Sequence, residues 1–215
     1  MKLVISGSAG GIGRAIAEKF LAEGHTVFGF DKAPGTIDHP EYRHFLHDVR
    51  DGAFPEIPDP ELLVCNAGTL EEAEAIDVNL LGAMRFAEHF IGSPSLRSVL
   101  FIASASARNG AEFPRYVASK AGLVGYMKNL ALSLAPRGIP CNSISPGGVI
   151  TPANRHILEN PDLYAQVKAE TLLGKWAEAW EVAELAWFLL TVNRSITGED
   201  ILMDNGEMLK SNFIW

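Results

Sequence analysis

Near the amino terminus the chain reads Ser6-Gly7-Ser8-Ala9-Gly10-Gly11-Ile12-Gly13, a run of eight residues with four glycines. An apolar segment (2–5) precedes this run, and an amphipathic segment (14–24) with helical spacing follows it, which predicts a strand–turn–helix unit. Glycines in such a turn are typical of a phosphate site, because the helix N-terminus presents N–H groups and a positive dipole end. Gly7 and Gly11 would admit a pyrophosphate, and Gly13 would allow close helix–strand packing. A merely flexible loop is the less favoured alternative.

Apolar strand-like segments alternate with helix-like segments along the rest of the chain. We expect strands at 26–30, 42–46, 62–65, 98–103, 140–144 and 200–203, and helices at 70–91, 116–134 and 178–191. Segment 51–61 is rich in Pro and Asp and should hold no long helix. This alternation predicts an α/β fold with a parallel sheet and helices on both faces, within a single domain over residues 1–215.

Polar residues and glycines follow most of these predicted strands. The carboxyl ends of parallel strands meet at one edge of a sheet, which is where ligands bind in such folds. We therefore expect one edge to be lined by Gly7, Asp31, Asp48, Asn66, Ser104 and Gly147. Their convergence is more informative than any single motif.

Asp31 stands at the end of the second strand, about 20 residues beyond the glycine turn. An acidic side chain there can accept hydrogen bonds from the adenosine ribose, and it repels a 2′-phosphate. Gly10 occupies a loop position where a basic residue would help to bind that phosphate, and Lys32 is the one nearby cation. We expect the cofactor to be NAD, with NADP less favoured.

Tyr116 and Lys120 lie four positions apart on a predicted helix and so share one of its faces. The ammonium group is expected to lower the pKa of the phenol from its ordinary value of about 10. A tyrosine adjusted in this way can exchange a proton during catalysis. The motif alone is weak, because a surface pair without a role has the same spacing.

Composition narrows the classes of protein further. The 215 residues carry a net charge of −8 and 47% apolar side chains, which disfavours nucleic-acid binding and disorder. No apolar run reaches the roughly 18 residues of a membrane span, and we expect no signal peptide before the glycine turn. Cys65 and Cys141 are expected to be buried, reduced thiols of a cytoplasmic protein. His44 and His47 lack a third ligand, so no metal site is expected.

Several of these segments resemble elements of the short-chain dehydrogenase/reductase family, and the resemblance covers essentially the whole chain. The segment 6–13 resembles the family's Thr-Gly-x-x-x-Gly-Ile-Gly turn, and 65–68 resembles its Asn-Asn-Ala-Gly element with Cys65 in place of the first Asn. The segment 146–151 resembles the family's element that holds the nicotinamide amide. The segment 204–206 resembles the Asp-Gly-Gly near the family's carboxyl end. The family's catalytic tetrad is matched in order and approximate spacing by Asn79, Ser104, Tyr116 and Lys120.

The resemblance implies a doubly wound, Rossmann-type, largely parallel seven-stranded sheet and a homo-oligomer, either a dimer or a tetramer. It also implies hydride transfer between NAD and a secondary alcohol or ketone. Tyr116 would be the general acid/base, Ser104 would bind the substrate oxygen, Lys120 would hold the nicotinamide ribose, and Asn79 would anchor a water. The implied cofactor contacts are Gly7, Ser8, Gly10, Gly11, Ile12, Asp31, Lys32, Asp48, Val49, Asn66, Ala67, Gly68, Tyr116, Lys120, Pro146, Gly147, Val149 and Thr151.

The chain departs from the family pattern in the connections around Asn66, which are shorter than usual. Its compact layout, and the segment from Asn160 onward, resemble bacterial 3α-hydroxysteroid dehydrogenase/carbonyl reductase-like members. Residues 152–180 predict a lid over the site, since polar and apolar residues mix there without a sustained period. The apolar end Phe213-Ile214-Trp215 favours a partner surface.

The substrate stays open between steroid-like, cyclic secondary-metabolite and small acyl alcohols. Arg155 and Lys175 could bind a carboxylate, although solvated cations are the favoured interpretation of both. A catalytically silent NAD-binding regulatory or scaffold protein is the alternative function. The complete tetrad favours the enzyme.

Overall fold

The computed structural model describes residues 1–210 and is built on one seven-stranded sheet. The strands are β1 (Lys2–Ser6), β2 (Thr26–Asp31), β3 (Tyr42–Leu46), β4 (Leu62–Cys65), β5 (Ser98–Ile102), β6 (Cys141–Pro146), β7 (Val149–Ile150), β8 (Ala177–Glu178) and β9 (Asp200–Met203). The sheet order is β3-β2-β1-β4-β5-β6-β9, and each neighbouring pair is parallel. Strands β7 and β8 pair separately. The predicted doubly wound parallel sheet is confirmed.

The helices are α1 (Gly11–Ala22), α2 (Ala83–Phe90), α3 (Ser106–Asn109), α4 (Pro114–Leu134), α5 (Arg155–Leu158), α6 (Pro161–Ala169) and α7 (Ala179–Trp187). Wider π-helical turns precede α2 at Ile76–Gly82 and follow α7 at Phe188–Val192. Short 3-10 turns lie at Ala135–Arg137, Pro152–Asn154 and Glu207–Leu209. Among residues 1–210, no helix has the length and apolar character needed to cross a membrane.

The prediction of one continuous helix over 70–91 is wrong at its amino-terminal end. Residues 70–75 form an irregular turn, and the helical segment starts at Ile76 with π-helical geometry. The side chain of Asn79 accepts a hydrogen bond from the Thr69 N–H (2.7 Å) and donates one to the Thr69 carbonyl (3.0 Å). The Thr69 backbone is therefore bound to a side chain rather than to a helical ladder, which keeps the turn out of the helix.

The core has two layers, one on each face of the sheet. On one face α2 and α4 pack against an aromatic cluster in which Phe30 meets Phe86 at 5.4 Å between ring centroids. The segment 51–61 contains no helix, as predicted, and it adds the buried Phe54 and Ile57 to this cluster. On the other face α1 packs against α7 through residues such as Phe20 and Val182.

The glycine turn connects β1 to α1 by a close approach of backbone to backbone. Gly7 has φ +72°, the left-handed region that favours glycine. A Cβ on Gly13 would overlap the carbonyl oxygen of Gly7 and Nδ2 of Asn66, so only glycine fits this contact. The Asn66 amide is held there by donating to the carbonyls of Ser6 (3.1 Å) and Gly7 (3.0 Å). These contacts bring the ends of β1 and β4 together at one edge of the sheet.

Candidate active site

A cleft of about 700 Å³ lies along the carboxyl-terminal edge of the sheet, within the usual size range of small-molecule sites. The residues anticipated from the sequence that line it are Gly7, Gly10, Gly11, Ile12, Asp31, Asn66, Ala67, Gly68, Ser104, Tyr116, Lys120, Pro146, Gly147, Val149 and Thr151. A recess of about 80 Å³ shares four of its lining residues with the cleft and adds Lys32, Asp48 and Val49. The structure thus brings nearly all anticipated site residues to one place.

Ser8 and Asn79 are the exceptions, since neither lines the cleft or the recess. Ser8 is fully buried, and its hydroxyl is hydrogen-bonded to the Tyr42 hydroxyl at 2.8 Å. Asn79 is also fully buried, and its Nδ2 donates to the Ser119 hydroxyl (3.0 Å) as well as to Thr69. Both side chains therefore stabilise segments next to the site through buried hydrogen bonds.

Tyr116 and Lys120 lie side by side on α4, as their spacing predicts. The Lys120 ammonium lies 5.8 Å from the centroid of the Tyr116 ring. Lys120 is 5% exposed, and its Nζ donates to the Ile102 carbonyl at the end of β5 (2.9 Å). Burial lowers the pKa of Lys120 to about 8, because its charged form has lost most of its water.

The phenol of Tyr116 differs from the expectation that its pKa is lowered. Burial raises the pKa of Tyr116 to about 12, and a hydrogen bond with Ser104 opposes the rise only in part. The desolvation of the phenolate outweighs any attraction to Lys120, and the carboxylate of Glu112 also favours the neutral phenol. Tyr116 therefore holds its proton at neutral pH in this geometry.

The Ser104 hydroxyl is oriented by Ser106, two positions further along the chain. It accepts a hydrogen bond from the Ser106 N–H (3.2 Å) and lies 2.8 Å from the Ser106 hydroxyl. Ser106, which also lines the cleft, was not anticipated from the sequence. The sequence signal for this role was the presence of a second serine two positions after Ser104.

The opposite end of the cleft is formed by the glycine turn and Asp31. The Asp31 carboxylate is fixed by two backbone donors, since it accepts from the N–H groups of Ala9 and Ala33 at 2.9 Å each. The N-terminal turn of α1 borders the same space through Gly11 and Ile12. A helix N-terminus and a fixed carboxylate in one cleft suit a pyrophosphate followed by a ribose, so the residues fit a dinucleotide.

Two other residues near this end have contacts that the sequence did not indicate. Asp48, one of the expected cofactor contacts, is paired with the Arg50 guanidinium at 2.7 Å, and that hydrogen bond holds the pKa of Asp48 below its usual value. Ser6 has a role that sequence reasoning missed. Its hydroxyl accepts from the N–H groups of Asn66 and Ala67 (3.1 Å each) and so fixes the loop after β4.

Three acidic residues also line the cleft. They are Glu112, Glu170 and Glu207, and none was anticipated from the sequence. Withdrawal from water raises the pKa of Glu112 and of Glu207. Glu112 also has φ +81°, a backbone conformation that is uncommon outside glycine. Lys120 is the one lysine or arginine that lines the cleft within residues 1–210.

The chain is similar to known proteins over most of its length. A family model described as enoyl-(acyl carrier protein) reductase matches residues 64–207. The chain is 27% identical to an L-rhamnose 1-dehydrogenase (NADP(+)) from Thermoplasma acidophilum, with 96% of this chain and 95% of that protein covered. It is 26% identical to a glucose 1-dehydrogenase from Gluconobacter oxydans, with 99% and 93% covered.

A 3-oxoacyl-[acyl-carrier-protein] reductase from Salmonella typhimurium is 28% identical, with 94% of this chain and 95% of that protein covered. Among solved structures, the ligand-free aldohexose dehydrogenase of Thermoplasma acidophilum superposes with a TM-score of 0.88 at 28% identity, covering 100% of this chain and 96% of that chain. The chain belongs to the short-chain dehydrogenase/reductase family. It is an oxidoreductase of the class that uses a nicotinamide cofactor.

Proposed function

We propose that this protein transfers a hydride between NAD and a secondary alcohol or ketone, with Tyr116 as the proton-transfer group. The observation that carries the proposal is the meeting of Ser104, Tyr116 and Lys120 in a cleft that continues to the glycine turn and Asp31. The nicotinamide, when bound, supplies or accepts the hydride. The protein positions the reactants and moves the proton.

Each polar side chain has a distinct part in this reaction. The phenol of Tyr116, protonated at neutral pH, gives its proton to the substrate oxygen during reduction and becomes a phenolate. In the oxidation direction the phenolate form takes the proton of the alcohol. Ser104 donates a hydrogen bond to that oxygen as negative charge develops on it. Lys120 has donors beyond the one used by Ile102, and these suit the hydroxyl groups of a ribose.

Asn79 has a positioning role in addition to the one that its place in the tetrad implies. Its side-chain amide is already engaged with Thr69 and Ser119. We therefore assign the Asn79 side chain to holding the loop after β4 against α4. This role supports the reaction by helping to position Tyr116.

The preference for NAD over NADP is supported by the fixed position of Asp31. Its carboxylate faces the same cleft as Gly10, and within residues 1–210 the one lysine or arginine that lines this cleft is Lys120, beside Tyr116. Lys32 lines the neighbouring recess, and its positive charge helps to lower the pKa of the nearby Asp48 carboxyl. Because Lys32 already interacts with this carboxylate, it is a weaker partner for a 2′-phosphate. The NADP(+)-dependent relative from Thermoplasma acidophilum makes this preference a point for direct measurement.

The charge of the substrate side of the cleft narrows the substrate class. Glu112, Glu170 and Glu207 disfavour an anionic substrate, and carboxylates are good acceptors for hydroxyl groups. Arg155 lies outside the cleft lining, and Lys175 is paired with Glu181 at 2.7 Å, so neither offers a carboxylate site. We propose a neutral substrate with several hydroxyl groups, which the rhamnose and glucose dehydrogenases among the relatives also favour.

The protein is further proposed to work in the cytoplasm as a homo-oligomer, a dimer or a tetramer. Large apolar side chains lie exposed on α4 and just after α7, including Leu132 (75% exposed) and Val192 (57% exposed). The carboxyl-terminal Phe213-Ile214-Trp215 lies outside the described residues.

The proposed function is tested by following NADH absorbance with a panel of neutral sugars and polyols, steroid alcohols, and hydroxy acids or acyl substrates. Turnover of neutral polyhydroxylated compounds, with little or none of the anionic ones, is the expected result. Preference for anionic substrates would overturn the assigned substrate class but leave the reaction type standing. Binding of NAD without turnover of any compound would instead favour the catalytically silent alternative.

A further inference from the structure

The catalytic helix α4 begins without any cap of its own. The residue before it, Phe113, offers no side-chain acceptor, and the first turn contains no acidic residue. Pro114 at the first helical position has no N–H, so the next donors that lack a helical acceptor belong to Arg115 and Tyr116. Arg115 also places a positive charge at the positive end of the helix dipole. This helix start is poorly stabilised by its own sequence.

The missing acceptor comes from a distant part of the chain. Oε1 of Glu72 accepts hydrogen bonds from the N–H of Arg115 (3.0 Å) and the N–H of Tyr116 (3.3 Å). Glu72 is half-buried and lies in the irregular turn that replaces the first part of the predicted helix 70–91. A carboxylate at a helix N-terminus is favourable both as a hydrogen-bond acceptor and as a negative charge.

The turn that carries Glu72 is itself held in place. Thr69 is bound on both its N–H and its carbonyl by Asn79, and the Thr69 hydroxyl accepts from the Glu71 N–H (3.1 Å). The Glu74 N–H closes the turn onto the Glu71 carbonyl at 3.0 Å. Glu72 is therefore presented to α4 from a fixed support.

The backbone of Tyr116 is consequently held from both sides. Its N–H is bound by Glu72, and its carbonyl accepts from the Ser119 hydroxyl (2.7 Å), which in turn accepts from Asn79 (3.0 Å). Both connections lead back to the segment 69–79. The geometry points to Glu72 as a positioning residue that fixes Tyr116, and with it the phenol, against Ser104; this assignment rests on the proposed role of Tyr116.

The test compares Glu72→Ala and Glu72→Gln with the matched control Glu71→Ala, which removes the exposed neighbouring carboxylate. Glu72→Ala should speed amide hydrogen exchange at Arg115 and Tyr116 about tenfold or more, since the amides lose their acceptor. It should also shift the Tyr116 ring resonance in protein labelled with ¹³C-tyrosine, where Tyr116→Phe identifies the signal. Glu72→Gln keeps the acceptor oxygen and should stay near the wild type in both measurements.

Kinetics then separate positioning from mere stability. With a substrate established for the wild type, Glu72→Ala should lower kcat about tenfold while the dissociation constant for NAD stays nearly unchanged, and Glu72→Gln should restore much of kcat. Exchange and ring resonance in Glu72→Ala that match those of Glu71→Ala would overturn the proposal, whether or not the wild type shows turnover. Altered exchange with an unchanged kcat would limit Glu72 to capping the helix and would also overturn it as a positioning residue.

Discussion

At the scale of single residues, burial governs the chemistry of the Tyr116–Lys120 pair. Both groups titrate away from their ordinary values in the direction that favours the neutral form: the pKa of Tyr116 is raised to about 12 and that of Lys120 is lowered to about 8. The spacing of the two residues could be predicted from the sequence, but their burial under β5 and the cleft walls could not. A one-dimensional pattern shows which groups are neighbours and leaves their solvation undetermined.

The buried Lys120 makes stability depend on pH. Its pKa is 10.5 in an ordinary environment and about 8 here, so between those values the unfolded state binds more protons and the free energy of unfolding rises with pH. Below pH 8 both states are protonated, and the cost of burial, about 3 kcal/mol at most, is fully present. Lys120→Met should therefore be more stable than the wild type at pH 7, with an advantage that shrinks toward pH 10.

Urea denaturation at pH 7, 8, 9 and 10 measures this difference. Lys128→Met, which replaces an exposed lysine on the same helix, is the control and should show little pH-dependent difference. An advantage of Lys120→Met that stays constant from pH 7 to pH 10 would contradict a lowered lysine pKa.

Asp31 determines the cofactor preference if its charge faces the adenosine ribose. Asp31→Asn removes the charge and keeps one acceptor oxygen, so it retains one of the two hydrogen bonds from the N–H groups of Ala9 and Ala33, which bind different carboxylate oxygens. The ratio of the NADP(H) to the NAD(H) dissociation constant should fall about tenfold or more, because a charge repulsion at short range is removed. Fluorescence titration measures both constants, and the exposed Asp38→Asn is the matched control. A wild type that binds NADP(H) as tightly as NAD(H) would refute the preference.

At the scale of elements, strands and helices with a strong local period were predictable, and the connections were not. β1, α1 and α4 follow from apolar spacing and the glycine turn, and their observed bounds differ from the predicted ones by at most a few residues. The turn at 70–75 was not predictable, because its partners Asn79, Arg115 and Tyr116 include residues more than forty positions away. Tertiary hydrogen bonds override a helical pattern there.

The segment 152–180, predicted as a lid, is bounded by a short parallel pair. β7 and β8 join Val149–Ile150 to Ala177–Glu178, and Trp176 is 7% exposed at the end of the segment. Between them lie the short helices α5 and α6, whose residues Ile157 and Val167 line the cleft. The segment thus lies next to a paired base and contributes residues to the lining of the cleft.

Amide hydrogen exchange should show this lid to be less protected than the sheet. Amides in 155–170 should exchange faster than those of β4 and β5, because few apolar contacts hold the short helices. Saturating NAD(H) should slow them, since a bound ligand orders a lid. The paired β7–β8 residues serve as the internal control. Protection in 155–170 equal to that of the core strands, in the protein without added ligand, would count against the lid.

At the scale of the whole molecule, exposed apolar surface is the remaining feature that the single chain does not explain. Leu132, Phe188 and Val192 are exposed on the outer helices, where a monomer would normally carry polar side chains. Light scattering at micromolar concentration should give a multiple of the 23.3 kDa chain mass. Val192→Glu should shift the mass toward the monomer, whereas Leu46→Glu, an exposed leucine at the end of an edge strand, should not. A monomeric wild type would refute the homo-oligomer.

The general plan of the molecule was readable from the sequence, because polar and glycine residues follow successive strands. Gly7, Asn66, Ser104 and Gly147 lie at one sheet edge as expected. The grouping of Glu112, Glu170 and Glu207 in the cleft could not be predicted from the sequence. Loops and the carboxyl-terminal turn bring these residues together, and no local sequence pattern indicates it. The substrate side of the cleft is the part that sequence alone determines least.

The central claim, that Tyr116 transfers the proton, is tested most directly by the turnover of Tyr116→Phe. The ring still packs, and the glycine turn and Asp31 are untouched, so NAD binding should stay nearly unchanged while kcat falls at least about 100-fold. Tyr126→Phe is the control, because Tyr126 lies on the same helix, packs against Phe101 at 5.8 Å and does not line the cleft. NADH absorbance on the best wild-type substrate gives the rates. A Tyr116→Phe protein that keeps most of its turnover would contradict the mechanism.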